Sequence, residues 1–271
     1  MIKDVMVRMD GSAADDVRLA AAKNLASVFD GQLIALFINV LPQIISDEAA
    51  GAAVDVITEA REAGDIVEAK LNDRLSQIHT RFELRRFDVF GDHVAEIAAR
   101  EARSADAFVA LRPNGGDEEP ARVVEGVLFG SGRHLLLVPL DKPDTPGFDD
   151  IVIAWNGSRE SARALAEAMP YLHRAKQVSV VTVIENQVED EAILGEDAVH
   201  HLAHHGIQAA LRHVAMENRD VAETLLGEAH RSSADLIVLG GYGHSRVREW
   251  LLGGVTHKLL HHSTVPLLLA H

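Results

Sequence analysis

The chain reads as α/β, with two tandem domains, each a five-stranded parallel sheet flanked by helices. Three observations point there. The 271 residues contain an internal duplication, with Asp106-Ala-Phe-Val-Ala-Leu111 echoing Asp235-Leu-Ile-Val-Leu-Gly240 and Val5–Ser12 lining up with Ile151–Ser158. Short apolar runs alternate with Ala-rich helical stretches, the pattern of strands buried on both faces between crossover helices. A segment rich in Pro and Gly, Asp141-Lys-Pro-Asp-Thr-Pro-Gly147, separates the two copies and defeats both helix and central strand.

In the first copy, strands are expected near 2 to 8, 32 to 38, 82 to 89, 106 to 111 and 134 to 139, with one long helix at roughly 47 to 79. In the second they fall near 150 to 155, 177 to 184, 207 to 214, 235 to 239 and 265 to 270. Both first strands end in an Asx-Gly-Ser turn, Asp10-Gly11-Ser12 and Asn156-Gly157-Ser158. Ser158 is placed to cap the helix that follows, and Asp220 with Glu223 forms a capping-box-like pair, giving orphaned helix N–H groups local acceptors. Upstream of the repeated fourth strand, Val94-Ala95-Glu96 and Ser104-Ala105-Asp106 match Val221-Ala222-Glu223 and Ser233-Ala234-Asp235. The period is far too long for a solenoid, so the division is into domains at 1–143 and 147–271.

Composition narrows the function. A net charge of −15 argues against nucleic acid or an anionic membrane surface as partner, since both call for clustered Lys and Arg. Without cysteine there are no disulfides, thiolate nucleophiles or Cys-based zinc sites. The start of the chain lacks a charged n-region followed by an apolar h-region, so a cytoplasmic location is expected.

The chemistry gathers after the fourth strand of the second copy. Glycines at 240, 243 and 253 follow a buried strand, and backbone N–H groups at such a turn can be aimed at an anion. A helix starting near Gly254 would add its own N–H groups and positive dipole end, with the Thr256 hydroxyl in its first turn. His244 and Ser245 lie close enough in sequence to reach a terminal phosphate. No G-x-x-x-x-G-K-[ST] string occurs, so any hydrolysis should be slow or absent.

Gly240-x2-Gly243-x9-Gly253, followed by Gly254-Val255-Thr256, resembles the G-x2-G-x9-G-(Ser/Thr) signature of the universal stress protein family. The resemblance covers the whole chain as a tandem pair, strongly in the second copy and in the first only by topology and strand endings. It implies Rossmann-like domains of the adenine nucleotide alpha hydrolase type. It also implies ATP, or AMP or ADP, as ligand, with magnesium allowed as a companion, and a role in stress regulation. The adenosine end would meet Ala154, Asn156, Val183 and Leu239, and the phosphates would meet Gly240, Gly243, His244, Ser245, Gly253, Gly254, Val255 and Thr256. Two positions depart: Asn156 stands where the family commonly has Asp, and Gly254 where it has Ser or Thr. Relatives pair through their final strands, which implies an intramolecular pseudo-dimer of the two halves and allows a homodimer.

The first copy carries Arg112-Pro-Asn-Gly-Gly-Asp-Glu-Glu-Pro120 where the second has its glycines, and its acids should repel phosphate. Its Gly130-Ser131-Gly132 reads as a turn, and the strand Leu135–Val138 follows so closely that the helix expected at 254 to 262 in the second copy has no room here. Histidine pairs at 200/204, 201/205 and 257/261 have the i, i+4 spacing of a helical metal site. Two other readings therefore stand beside nucleotide binding: a ligand-free scaffold, and a metal-dependent hydrolase built on these histidines.

Overall fold

A computed structural model describes residues 1–43, 50–113, 119–140, 147–184, 194–216, 219–241 and 254–271. Contacts divide the chain into two compact units, one made of Met1–Leu111 with Gly115–Arg133 and the other of Arg112–Asn114 with His134–His271. Residues 141–146 of the expected linker lie outside the described residues.

Unit 1 runs β1 (Asp4–Met9), α1 (Asp15–Phe29), β2 (Gln32–Leu41), α2 (Ala50–Ser76), β3 (Phe82–Phe90), α3 (Val94–Ala102), β4 (Ala107–Leu111) and α4 (Ala121–Gly130). Its strands lie in the order β3-β2-β1-β4, all parallel. Every residue of β4 is buried, as expected of a parallel strand with a helix on each face. No helix lies between Gly132 and β5, and the helix of this stretch, α4, instead precedes the turn. Gly132 makes the turn with a φ of 72°, while two glycines of α4 serve helix packing. A Cβ on Gly126 would lie 2.9 Å from the Ala95 Cβ, and one on Gly130 would lie 3.0 Å from the Ala99 Cβ, so their absence lets α4 close on α3.

Unit 2 begins with β5 (His134–Val138) and continues β6 (Asp150–Ala154), α5 (Arg159–Leu172), β7 (Gln177–Ile184), α6 (Glu196–His204), β8 (Ala209–Ala215), α7 (Val221–Arg231), β9 (Leu236–Gly240), α8 (Val255–His262) and β10 (Leu267–Ala270). Strand order is β5-β10-β9-β6-β7-β8. All neighbours are parallel except β5 and β10, which pair antiparallel with Leu136 opposite Leu268. The last strand of the first copy thus belongs to the sheet of the second, and both leucines are fully buried. His134 anchors β5 there: its ring nitrogens lie 3.0 Å from Glu167 Oε2 and 2.9 Å from the Tyr171 hydroxyl.

The duplication is one of interactions as well as letters. Asp106 accepts hydrogen bonds from the backbone N–H groups of Lys3 and Asp4, and Asp235 accepts from Asp149 and Asp150. In each unit the repeated aspartate therefore fixes the entry to the first strand. At the other end of that strand, Asp10 Oδ1 accepts from Ser12 N–H and Asn156 Oδ1 from Ser158 N–H. The glycines between them have φ of 81° and 71°, the left-handed region that a side chain would penalise.

Candidate functional site

In unit 2 the chain winds outward from β6 through β7 to β8, then returns to add β9 and β10 on the other side. The crevice beyond the carboxyl ends of β6 and β9 is therefore where a ligand has room. A cleft of about 210 Å³ opens there. It brings together Ala154, Asn156, Val183, Leu239, Gly240, Val255 and Thr256 of the sequence-expected set. Gly254 is the N-cap of α8 and carries no side chain to cap it. Gly243, His244, Ser245 and Gly253 lie outside the described residues.

The helices bounding the cleft are fixed locally. Ser158 caps α5 by accepting from Ser161 N–H at 3.2 Å. Asp220 and Glu223 form a complete capping box at the start of α7. The second Asp220 oxygen takes Lys258 of α8 in an ion pair, which ties the two helix N-termini together. The hydrogen bond from Lys258, with the N–H of Glu223, holds the Asp220 carboxyl below the usual carboxylate range. Thr256 is buried in the first turn of α8.

Two residues have different local duties from those expected. Asn156 Oδ1 accepts from both the backbone N–H and, at 2.7 Å, the hydroxyl of Ser158, so this acceptor is engaged within the turn. Gly240 is a packing position: a Cβ there would lie 2.4 Å from the carbonyl carbon of Glu160 and 2.5 Å from Ser161 N. Its missing side chain lets the start of α5 rest on the end of β9.

Sequence reading missed several lining residues. Val181 shares a strand face with Val183 by the two-residue period, and Val221 and Leu225 share a helix face at i, i+4, so both signals were present. Leu194, after a stretch outside the described residues, carried none.

At the corresponding strand ends in unit 1, the chain supplies its own anion. Glu119 is 1% exposed, accepts Leu111 N–H at 3.0 Å and pairs with Arg18 Nε at 3.0 Å and Arg8 Nη1 at 3.4 Å. Arg18 is fully buried and also reaches Asp15 at 2.8 Å and Asp10 at 3.4 Å. Asp15 in turn accepts the N–H groups of Asp10 and Gly11. Three carboxylates share two guanidiniums, and burial, reinforced by the charge of Asp10, pushes the Asp15 carboxyl up. Burial acts in the same sense on Asp10, but the Ser12 hydrogen bond and the charges of Arg18 and Arg8 hold it below the usual range. Residues 114–118 of this loop lie outside the described residues.

Two of the expected helical histidine pairs come together. His201 and His205 have ring centroids 4.7 Å apart, and His257 and His261 stack at 4.2 Å. Among the described residues no group of three or more His, Cys, Asp or Glu is placed to hold a metal ion. No described helix is long and apolar enough to cross a membrane.

Residues 147–271 match the model of the Universal stress protein family. This half of the chain belongs to the universal stress protein family. Universal stress protein YxiE of Bacillus subtilis (strain 168) is 29% identical to it, over 45% of this chain and 98% of the relative. The fold extends further than the family match. A universal stress protein from Archaeoglobus fulgidus DSM 4304 superposes with a TM-score of 0.71 over 98% of this chain and 97% of its own, at 16% identity. A functionally unknown protein from Pseudomonas aeruginosa PAO1 follows at a TM-score of 0.59, with 99% and 92% covered at 15% identity. At such identities the likeness establishes the α/β architecture and carries no ligand with it.

Proposed function

We propose that the universal stress domain at 147–271 binds an adenine nucleotide, ATP or its AMP or ADP relatives, and that occupancy of its cleft is a regulatory state. The observation that carries this reading is the cleft itself. Val181, Val183, Leu225 and Leu239 offer an apolar wall suited to a base, while Val255 and Thr256 of the first turn of α8 line the same cleft, where the positive end of a helix favours a phosphate. The reading is one of binding rather than turnover. Extracting small molecules from the denatured, purified chain and identifying them by mass spectrometry tests it directly, and adenine nucleotide is the expected result.

A ligand-free scaffold is the second reading, and Asn156 favours it, because its acceptor oxygen is already used by Ser158. One substitution tests whether Asn156 belongs to a nucleotide site. In Asn156→Asp the first oxygen can keep the turn while the second presents a charged acceptor to the cleft. We expect ATP to bind about fivefold more tightly by calorimetry, the equivalent of about 1 kcal/mol. Unchanged affinity would remove Asn156 from the nucleotide contacts.

A further inference from the structure

The Glu119 carboxylate of unit 1 occupies the position that corresponds to the ligand cleft of unit 2. Its Oε2 accepts the backbone N–H of Leu111, at the end of β4, and Arg18 Nε, both at 3.0 Å. Its Oε1 accepts from Arg8 Nη1, near the end of β1, at 3.4 Å. In the duplication Arg8 stands opposite Ala154 and Leu111 opposite Gly240, and both counterparts line the cleft of unit 2. Glu119 also immediately precedes Pro120, the N-cap of α4, much as the first turn of α8 borders that cleft. The carboxylate therefore sits beyond the carboxyl ends of β1 and β4, where the strand order β3-β2-β1-β4 reverses.

Burial sets this contact apart from the surface ion pairs of the same unit. The side chains of Glu119, Arg18 and Arg8 are 1%, 0% and 13% exposed, so all three have given up nearly all of their water. The pairs of Lys3 with Asp30 and of Arg74 with Asp16 are open to solvent by comparison. A backbone N–H and two guanidiniums aimed at one enclosed spot match a carboxylate, and desolvated donors are costly to leave without one.

We propose that Glu119 is an internal ligand. Unit 1 keeps a binding position for a small carboxylate, and the chain fills it with its own side chain, so the position stays occupied whatever anions are free in solution. A group held on the same chain is present at a high effective concentration, which keeps free carboxylates out. A simple tether differs from this in one respect. A binding position left empty is satisfied by a free carboxylate, whereas a loop that has lost its tether gains nothing from one.

The test uses Glu119→Ala in the full chain. The substitution removes Cγ, Cδ and both carboxylate oxygens, which together are the heavy atoms of an acetate ion. Acetate restores the charge and shape of the group removed, so its fit does not depend on what else the surrounding charges touch. In urea unfolding followed by circular dichroism near neutral pH, the variant should have a lower midpoint than the unaltered chain. About 0.1 M acetate should recover at least about half of that loss, relative to chloride at the same ionic strength. Benzoate, too large for the space, should recover none of it. The unaltered chain and Glu119→Gln, in which the space is filled, should respond to acetate no more than to chloride. If Glu119→Ala does not fold in chloride, refolding in acetate becomes the readout and should return the native spectrum. An unchanged midpoint in Glu119→Ala, no recovery in acetate by the folded or the refolded variant, equal recovery by benzoate, or an equal acetate effect on all three proteins overturns the proposal.

Discussion

Replacing Leu268 with aspartate is expected to unfold unit 2. Leu268 is fully buried in β10, between Leu136 of the antiparallel β5 and Val238 of the parallel β9. A carboxylate there has no cationic partner and loses its water, a combination that costs upwards of about 4 kcal/mol. A domain of this size has roughly 5–15 kcal/mol in hand, so one substitution removes a large share of its stability. Urea unfolding followed by circular dichroism should show a much lower midpoint. Because β5 comes from the first copy, the segment around 139–149 should also become sensitive to limited proteolysis. An unchanged midpoint in a compact variant would mean that the β5–β10 pairing does not hold this sheet together.

The second large effect belongs to unit 1. Arg18→Met leaves Asp10, Asp15 and Glu119 with Arg8 as their remaining cation in the cluster, inside a region where Asp15, Arg18 and Glu119 are 0–1% exposed. Breaking a buried ion network from one side costs about 3–5 kcal/mol, since the orphaned carboxylates stay desolvated. Substituting Glu119→Gln and Asp15→Asn together with Arg18→Met removes the stranded charge as well, and should recover most of that loss. Chemical denaturation of both variants checks the claim. A single variant as stable as the triple one would show that the network is not what holds the 119 loop against β1 and β4.

The fold was largely legible in the sequence because its punctuation is local. The strand expected at 177 to 184 is β7 to the residue, bounded by polar and charged neighbours, and the Asx-Gly-Ser turns follow from the left-handed glycine they contain. What could not be read was long-range. The apolar run Leu135–Val138 announces a buried strand but not its antiparallel partner, Leu267 opposite Leu137 and 130 residues away, because periodicity carries no address and the pairing of final strands came from the family resemblance alone. Glu119 reads as one of several loop acids. That it is neutralised by Arg18 on the first helix depends on packing that no local pattern encodes.

The site shows the same division. Seven expected residues converge on the cleft because they sit at strand ends and at one helix start, positions fixed by topology once the strand order is given. Gly240 is the instructive exception, since the glycine spacing that suggests a phosphate turn also serves the close approach of α5, and the two uses look alike in one dimension.

The cleft of unit 2 is the proposed nucleotide site. Calorimetric titration of ATP into the full chain and into its Val183→Trp variant tests it most directly. Val183 lines the apolar wall, and an indole there would occupy the space left for the base. Binding by the unaltered chain is expected, with a loss of at least about tenfold, about 1.4 kcal/mol, in a variant that still folds. Equal affinity in the two proteins, or no binding in either, would contradict it.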